Sequence, residues 1–160
     1  MGKVIGRFQD ADKAERAIED LKHEGFSDRD VSLVAKDPRT GKVERHEGGD
    51  AAHGHDSLWD GTAIGAGVGA GAGLLASAGL LIIPGIGPIL ALGPLAATLG
   101  MGAAGGLAGA FIDWGVPASE GHRLQRDVER GEAIVLVDSP KSDRAADILK
   151  RHTEHVQVVH

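Results

Sequence analysis

The chain has 160 residues and a formal net charge of −6, enough for one domain of ordinary size and the wrong sign for a dedicated nucleic-acid binder. Lysine and arginine are scattered through the polar ends, 10 against 14 acidic residues over 1–60 and 7 against 9 over 113–160, so neither end offers a phosphate-neutralising surface. Cysteine is absent and aromatic residues make up only 3%, which excludes disulfides, thiolate metal sites and the usual stacking platform for single-stranded nucleic acid.

The start, MGKVIGRF, has no apolar signal-peptide core, which leads us to expect a cytoplasmic protein. Its β-branched and aromatic content predicts a strand over Lys3 to Phe8. Asp12 and Glu15 stand at capping-box spacing, and Ala14, Ala17, Ile18 and Leu21 repeat at three and four residues, predicting an amphipathic helix that Gly25 ends. Alternation of Val31, Leu33 and Ala35 predicts a half-buried strand. These elements form the first βαβ half of an α/β head, residues 1–36.

Residues 37–60 are a polar linker rich in His, Gly and Asp. His53 and His55, with Asp50, Asp56 and Asp60 nearby, are the candidate metal ligands. Without cysteine or strict ligand spacing, solvated histidines on a polar loop explain them better, and neither metal nor cofactor is expected.

Residues 61–112 carry no charge and hold 15 of the 25 glycines. The turn chemistry of Pro84, Gly85, Gly87 and Pro88 divides two apolar arms, each long enough to cross a bilayer as a helix, so a helical hairpin is predicted. Gly61, Gly65, Gly69 and Gly73 in one arm, and Gly102, Gly106 with Gly105, Gly109 in the other, have the i, i+4 spacing of a glycine zipper that brings helix backbones close. Leu80, Leu81, Ile82, Ile83, Ile86, Ile89 and Leu90 crowd the expected tip. A patch of that kind needs cover from lipid, a partner or copies of itself. Trp59 and Trp114 bracket the run where an interfacial belt would lie, yet the acidic flanks Asp56, Asp60 and Asp113 lack any positive-inside signature. The glycines Gly65 and Gly67 with Ala70 mimic a dinucleotide fingerprint but lack its strand and acidic residue.

Residues 113–160 supply a connecting helix over 117–130 with Leu124 and Val128 on one face and Gly131 as its terminator. A strand from Ala133, a helix started at Ser139 with Ala145, Ile148 and Leu149 buried, and a last strand over Val156 to Val159 complete the second βαβ half. Ala17 to His23 aligns with Ala145 to Arg151, as in a divergent duplication. The fold class expected is α+β: a ferredoxin-like four-stranded antiparallel sheet with two helices on one side, interrupted by the helical hairpin.

The segments VIGRFQDADKAERAIEDLKHEGFSDRDVSLVAKD, PGIGPILALGPLAA and GAFIDWGVPASEGHRLQRDVERGEAIVLVD together resemble the bacterial general stress protein family with a YflT-like (heat-induced stress protein) domain, related in layout to low-temperature-induced proteins. The resemblance covers about 3–36 and 60–138 and implies a role in the general stress response, with no established catalytic activity to carry over residue by residue. The serines sit mostly at caps or turns and no Ser/His/Asp set stands out. The expectation is therefore a non-enzymatic protein whose partner is itself, assembling through the hairpin in the cytoplasm or at the inner membrane. The alternative is a membrane-inserted hairpin acting as anchor or pore; nucleic acid is not an expected partner.

Overall fold

The computed structural model describes residues 2–36, 79–83, 86–100 and 105–159. In chain order they form β1 (Gly2–Phe8), α1 (Ala11–His23), β2 (Val31–Lys36), β3 (Gly79–Ile83), β4 (Gly87–Leu92), α2 (Pro94–Gly100), α3 (Gly106–Trp114), α4 (Ala118–Glu129), β5 (Ala133–Ser139), α5 (Ser142–Lys150) and β6 (His155–Val159). The class is mixed α and β. One sheet of six strands runs in the order β3-β4-β2-β5-β1-β6 with every neighbouring pair antiparallel.

The centre of the sheet follows from composition. Ala133 to Val137 of β5 are each 0% exposed, as a continuous apolar run requires when both faces of a strand are covered. On one face Val4, Phe8, Leu33, Val135 and Val137 pack with Ala17, Ile18 and Leu21 of α1 and Ile148 and Leu149 of α5. On the other face Ile5, Val34, Ile134 and Leu136 pack with Leu95 of α2, Leu107 and Phe111 of α3, and Leu124 and Val128 of α4. The molecule thus has three layers. The expected four-stranded sheet with helices on one side is corrected on both counts, because the segment at 79–114 adds two strands at the β2 edge and two helices that, with α4, cover the second face.

The helical hairpin is corrected where it is described. Residues on either side of Pro84 and Gly85 form a β-hairpin, with Leu81 opposite Ile89 and Ile83 opposite Gly87. Branched Ile82, Ile83 and Ile89 favour extended backbone, and two prolines within five residues forbid a continuous helix. Pro88 is tolerated inside the sheet because the β2–β4 ladder ends at Lys36 opposite Ile89, one residue short of it. Helix returns only after Gly93, whose φ of +81 and approach to Val31 leave no room for a side chain.

Helix ends bear out some expectations and correct others. Gly25 and Gly131 follow α1 and α4 with φ of +87 and +99. In each case the next residue's N–H reaches back to a last-turn carbonyl: Phe26 to Leu21 at 3.0 Å and Glu132 to Asp127 at 3.0 Å, the Schellman closure. At the start of α1, however, the cap is Asp10, whose carboxylate accepts from the Lys13 N–H at 2.8 Å, and not the Asp12–Glu15 box. Glu15 lies on the buried side of the helix at 0% exposure. Ser139 likewise ends β5 and accepts from the Lys141 N–H at 3.3 Å, so α5 begins later than expected, at Ser142.

Candidate functional site

Two antiparallel partners, β1 and β6, place Arg7 opposite His155 and Ile5 opposite Gln157. Alternation puts Ile5 and Arg7 on one face of β1, the face covered by α4. Within α4, Leu124, Asp127 and Val128 are three and four residues apart and share the buried side. Asp127 therefore enters the interior opposite Arg7, and the Arg7 Nη1 donates to its Oδ2 at 3.0 Å. The two side chains are 19% and 5% exposed. Arg130, 3.9 Å from the other carboxylate oxygen, sits largely in solvent.

Beside this pair, between α4 and the β1–β6 edge, lies a cavity of about 300 Å³. It is bordered by Ile5, Arg7, Glu120, Leu124 and residues 154–157; with Ile5 2% and Leu124 0% exposed and Val156 packed on the opposite face of the sheet, its accessible wall is mostly polar. Glu120 lies 3.8 Å from Arg123 on its own helix. The edge is held in place by Thr153, whose hydroxyl donates to the Arg7 carbonyl at 2.5 Å. The arrangement can recognise a charged or polar group. Among the described residues no group of three or more His, Asp or Glu is placed to hold a metal ion.

The residues singled out from sequence divide into three sets. His53, His55, Trp59, Gly61, Gly65, Gly69, Gly73 and Gly102 lie outside the described residues. Leu80, Leu81, Ile82 and Ile83 belong to β3, and Ile89 and Leu90 to β4, where Ile89 is 0% and Leu90 3% exposed. Leu81 and Ile86 pack against the same core as α2 and α3. Much of the expected tip is thus covered by the chain itself. In the third set, Gly105 is the N-cap of α3 and Gly106 has a φ of +61, so both are where the helix starts and not on its packed face. A Cβ on Gly109 would meet nothing within 4 Å.

A close approach between α3 and α4 is made by Gly121 of α4. A Cβ there would stand 3.0 Å from Ile112 Cγ1 and 3.2 Å from the Ala108 carbonyl oxygen of α3. Gln125, one turn further on, accepts from the Ala108 N–H at 3.1 Å and so satisfies a donor in the first turn of α3. Trp114 ends α3 half-buried, with the Lys3 ammonium 4.9 Å over its ring and also donating to its carbonyl. A cation over an aromatic face is a favourable contact, and here it ties the first strand to the end of α3. Among the described residues no helix is long and apolar enough to cross a membrane.

Arg7 and Asp127 were not anticipated from sequence. The signal lay in two irregularities: an arginine on the same strand face as Ile5, and an acidic residue within the apolar stripe of Leu124 and Val128. A scan against protein-family models and searches of curated proteins and of solved structures find no match to this chain.

Proposed function

We propose that this chain is a non-catalytic association module of the general stress-response kind, a cytoplasmic protein whose partner is a second copy of itself. The observation that carries this reading is the state of the two sheet edges. Among the described residues β3 pairs only with β4 and β6 only with β1, and neither GLLII nor HVQVV contains a charged residue or a proline. Natural sheets blunt exposed edges with lysine, proline or bulges because open N–H and C=O groups invite another strand. Two unblunted edges on one sheet favour strand addition by another chain.

The order β6-β1-β5-β2, taken without β4 and β3, is that of a split βαβ pair, and we read the head as a ferredoxin-like core widened at one edge. The resemblance to general stress proteins rests on the quoted sequence segments, and the glycine spacing of 61–73 adds a second means of self-association.

The test is the size of untagged protein in soluble and membrane fractions, by light scattering without detergent, together with the edge variant Val158→Lys. A particle larger than one chain in the soluble fraction, reduced by Val158→Lys in protein that still melts cooperatively, supports strand-mediated assembly. A monomer at every concentration overturns it. Recovery only from membranes assigns the association to lipid instead.

A further inference from the structure

We infer that β6 is the joining edge, and that it pairs antiparallel with β6 of a second copy about a two-fold axis at Gln157. The inference rests on the reading of the chain as an association module and names the edge, the partner strand and the register. Its first support is the internal repetition of the head. The chain runs strand, helix, strand twice, as β1-α1-β2 and β5-α5-β6, and the sheet order β2-β5-β1-β6 makes β2 and β6 the equivalent outer strands of the two halves. The outer edge of β2 is covered by β4, antiparallel from Leu33 opposite Leu92 to Lys36 opposite Ile89, and Val31, Leu33, Val34 and Ala35 are at most 1% exposed. Among the described residues β6 has only β1 as a neighbour, and Val156, Val158 and Val159 are left half-buried. The place that an antiparallel strand fills beside β2 is open beside β6.

The second support is that β6 is complementary to itself. A two-fold axis perpendicular to a sheet sets residues of the same face opposite one another, so it passes at a residue and not between two. Centred on Gln157, all five residues of HVQVV pair, whereas any other centre pairs three at most. Val156 then meets Val158 of the other copy, twice over, on the face that packs with α5, a cross-strand pair of branched side chains. On the other face the exposed Gln157 meets its own copy; an amide carries both donors and an acceptor, so two of them can bond reciprocally. HVQVV contains no Asp, Glu, Lys or Arg, and no like charges are brought together. Joining β6 to β3 of the next copy would instead repeat without closing and build fibres. The two-fold contact closes as a dimer.

Because the chain has no cysteine, single cysteines read the register directly. Gln157→Cys in the full chain should form a disulfide-linked dimer on mild oxidation, since residues opposite one another in an antiparallel pair lie within disulfide reach. His155→Cys and Val159→Cys should each fail alone and cross-link when mixed. Ile112→Cys, exposed on α3, measures random collision and should not cross-link. Gln157→Glu and Gln157→Lys each set like charges opposite one another and should weaken dimerisation several-fold by sedimentation, while their equimolar mixture should associate at least as tightly as the parent. A cooperative melt of each variant checks that it folds. Particles larger than one chain in which Gln157→Cys cross-links no faster than Ile112→Cys overturn this inference and leave the association reading to the β3 edge or the glycine segment. So does a charge-swapped mixture no tighter than either variant alone. A monomer at every concentration overturns both.

Discussion

Arg7 of β1 and Asp127 of α4, 120 positions apart in the chain, form an ion pair at 3.0 Å inside the layer between sheet and helices. Removing one partner of such a pair leaves the other charge buried and uncompensated. Asp127→Ala should destabilise the protein by about 3 kcal/mol, the low end of the range because Arg7 keeps some contact with solvent. The double variant Arg7→Met/Asp127→Leu should lose less than the sum of the two single changes, since an apolar pair leaves no orphaned charge. Urea denaturation of the four proteins measures both numbers. A double variant as unstable as the sum would mean that the two side chains contribute independently and are not coupled as an ion pair.

Gly93 and Gly25 both have positive φ, +81 and +87, but differ in their surroundings. A Cβ at Gly93 would stand 2.0 Å from the Val31 carbonyl oxygen and 2.8 Å from Ser32 Cα, whereas one at Gly25 meets nothing within 4 Å. Gly25→Ala should therefore cost only the backbone term, about 1 kcal/mol. Gly93→Ala must also push β2 away from the β4–α2 turn, breaking the bond from the Leu95 N–H to the buried Ser32 hydroxyl, and should cost about 3 kcal/mol or more. Thermal melts of the two variants should be clearly separated.

At Gly121 the two contributions have opposite signs. Alanine gains about 1 kcal/mol of helix propensity, while its methyl presses on Ile112, which is 37% exposed and can yield, and on the Ala108 carbonyl, which cannot. Gly121→Ala should lie within about 1 kcal/mol of the parent. Gly121→Leu forces α3 and α4 apart and should cost about 2 kcal/mol or more. Equal stability of the parent and Gly121→Leu would show that α3 and α4 are not in close contact at this position.

Glu24 accepts a hydrogen bond from Arg144 at 2.8 Å, and that bond, followed by the charge of Arg144, lowers its pKa from the ordinary 4.5. A carboxylate with a lowered folded value contributes stability above its unfolded pKa and loses it as pH falls through the folded value. The pair is at the surface, so the contribution is small and screened. Glu24→Gln should melt about a degree below the parent near neutral pH in dilute salt. The gap should close as the pH falls through the folded pKa, below the ordinary 4.5, and in about 1 M salt. A gap that persists in acid would assign the loss to something other than this ion pair.

Much of the α/β head was legible in the sequence because its signals are local. The apolar periodicity of Ala14, Ala17, Ile18 and Leu21, the turn glycines Gly25 and Gly131, and the unbroken run Ala133 to Val137 each follow from what a few consecutive residues can bury. The apolar stretch at 79–92 was harder. Length and lack of charge are shared by helices and buried strands. The branched residues and prolines that argue for strand were outweighed by the glycine spacing of the flanking arms.

By itself, then, the sequence determined the mixed class, most of the elements of residues 2–36 and 118–159, and the absence of any thiol chemistry. Tertiary structure alone decided that β3 and β4 widen the sheet at β2, that α2, α3 and α4 close its second face, and that Arg7 meets Asp127 beside an open cavity. The physical reason is range. Hydrogen-bonding periodicity and turn strain act within a few residues, whereas a strand joins a particular sheet edge, and a buried charge finds its partner, only through contacts between segments distant in the chain.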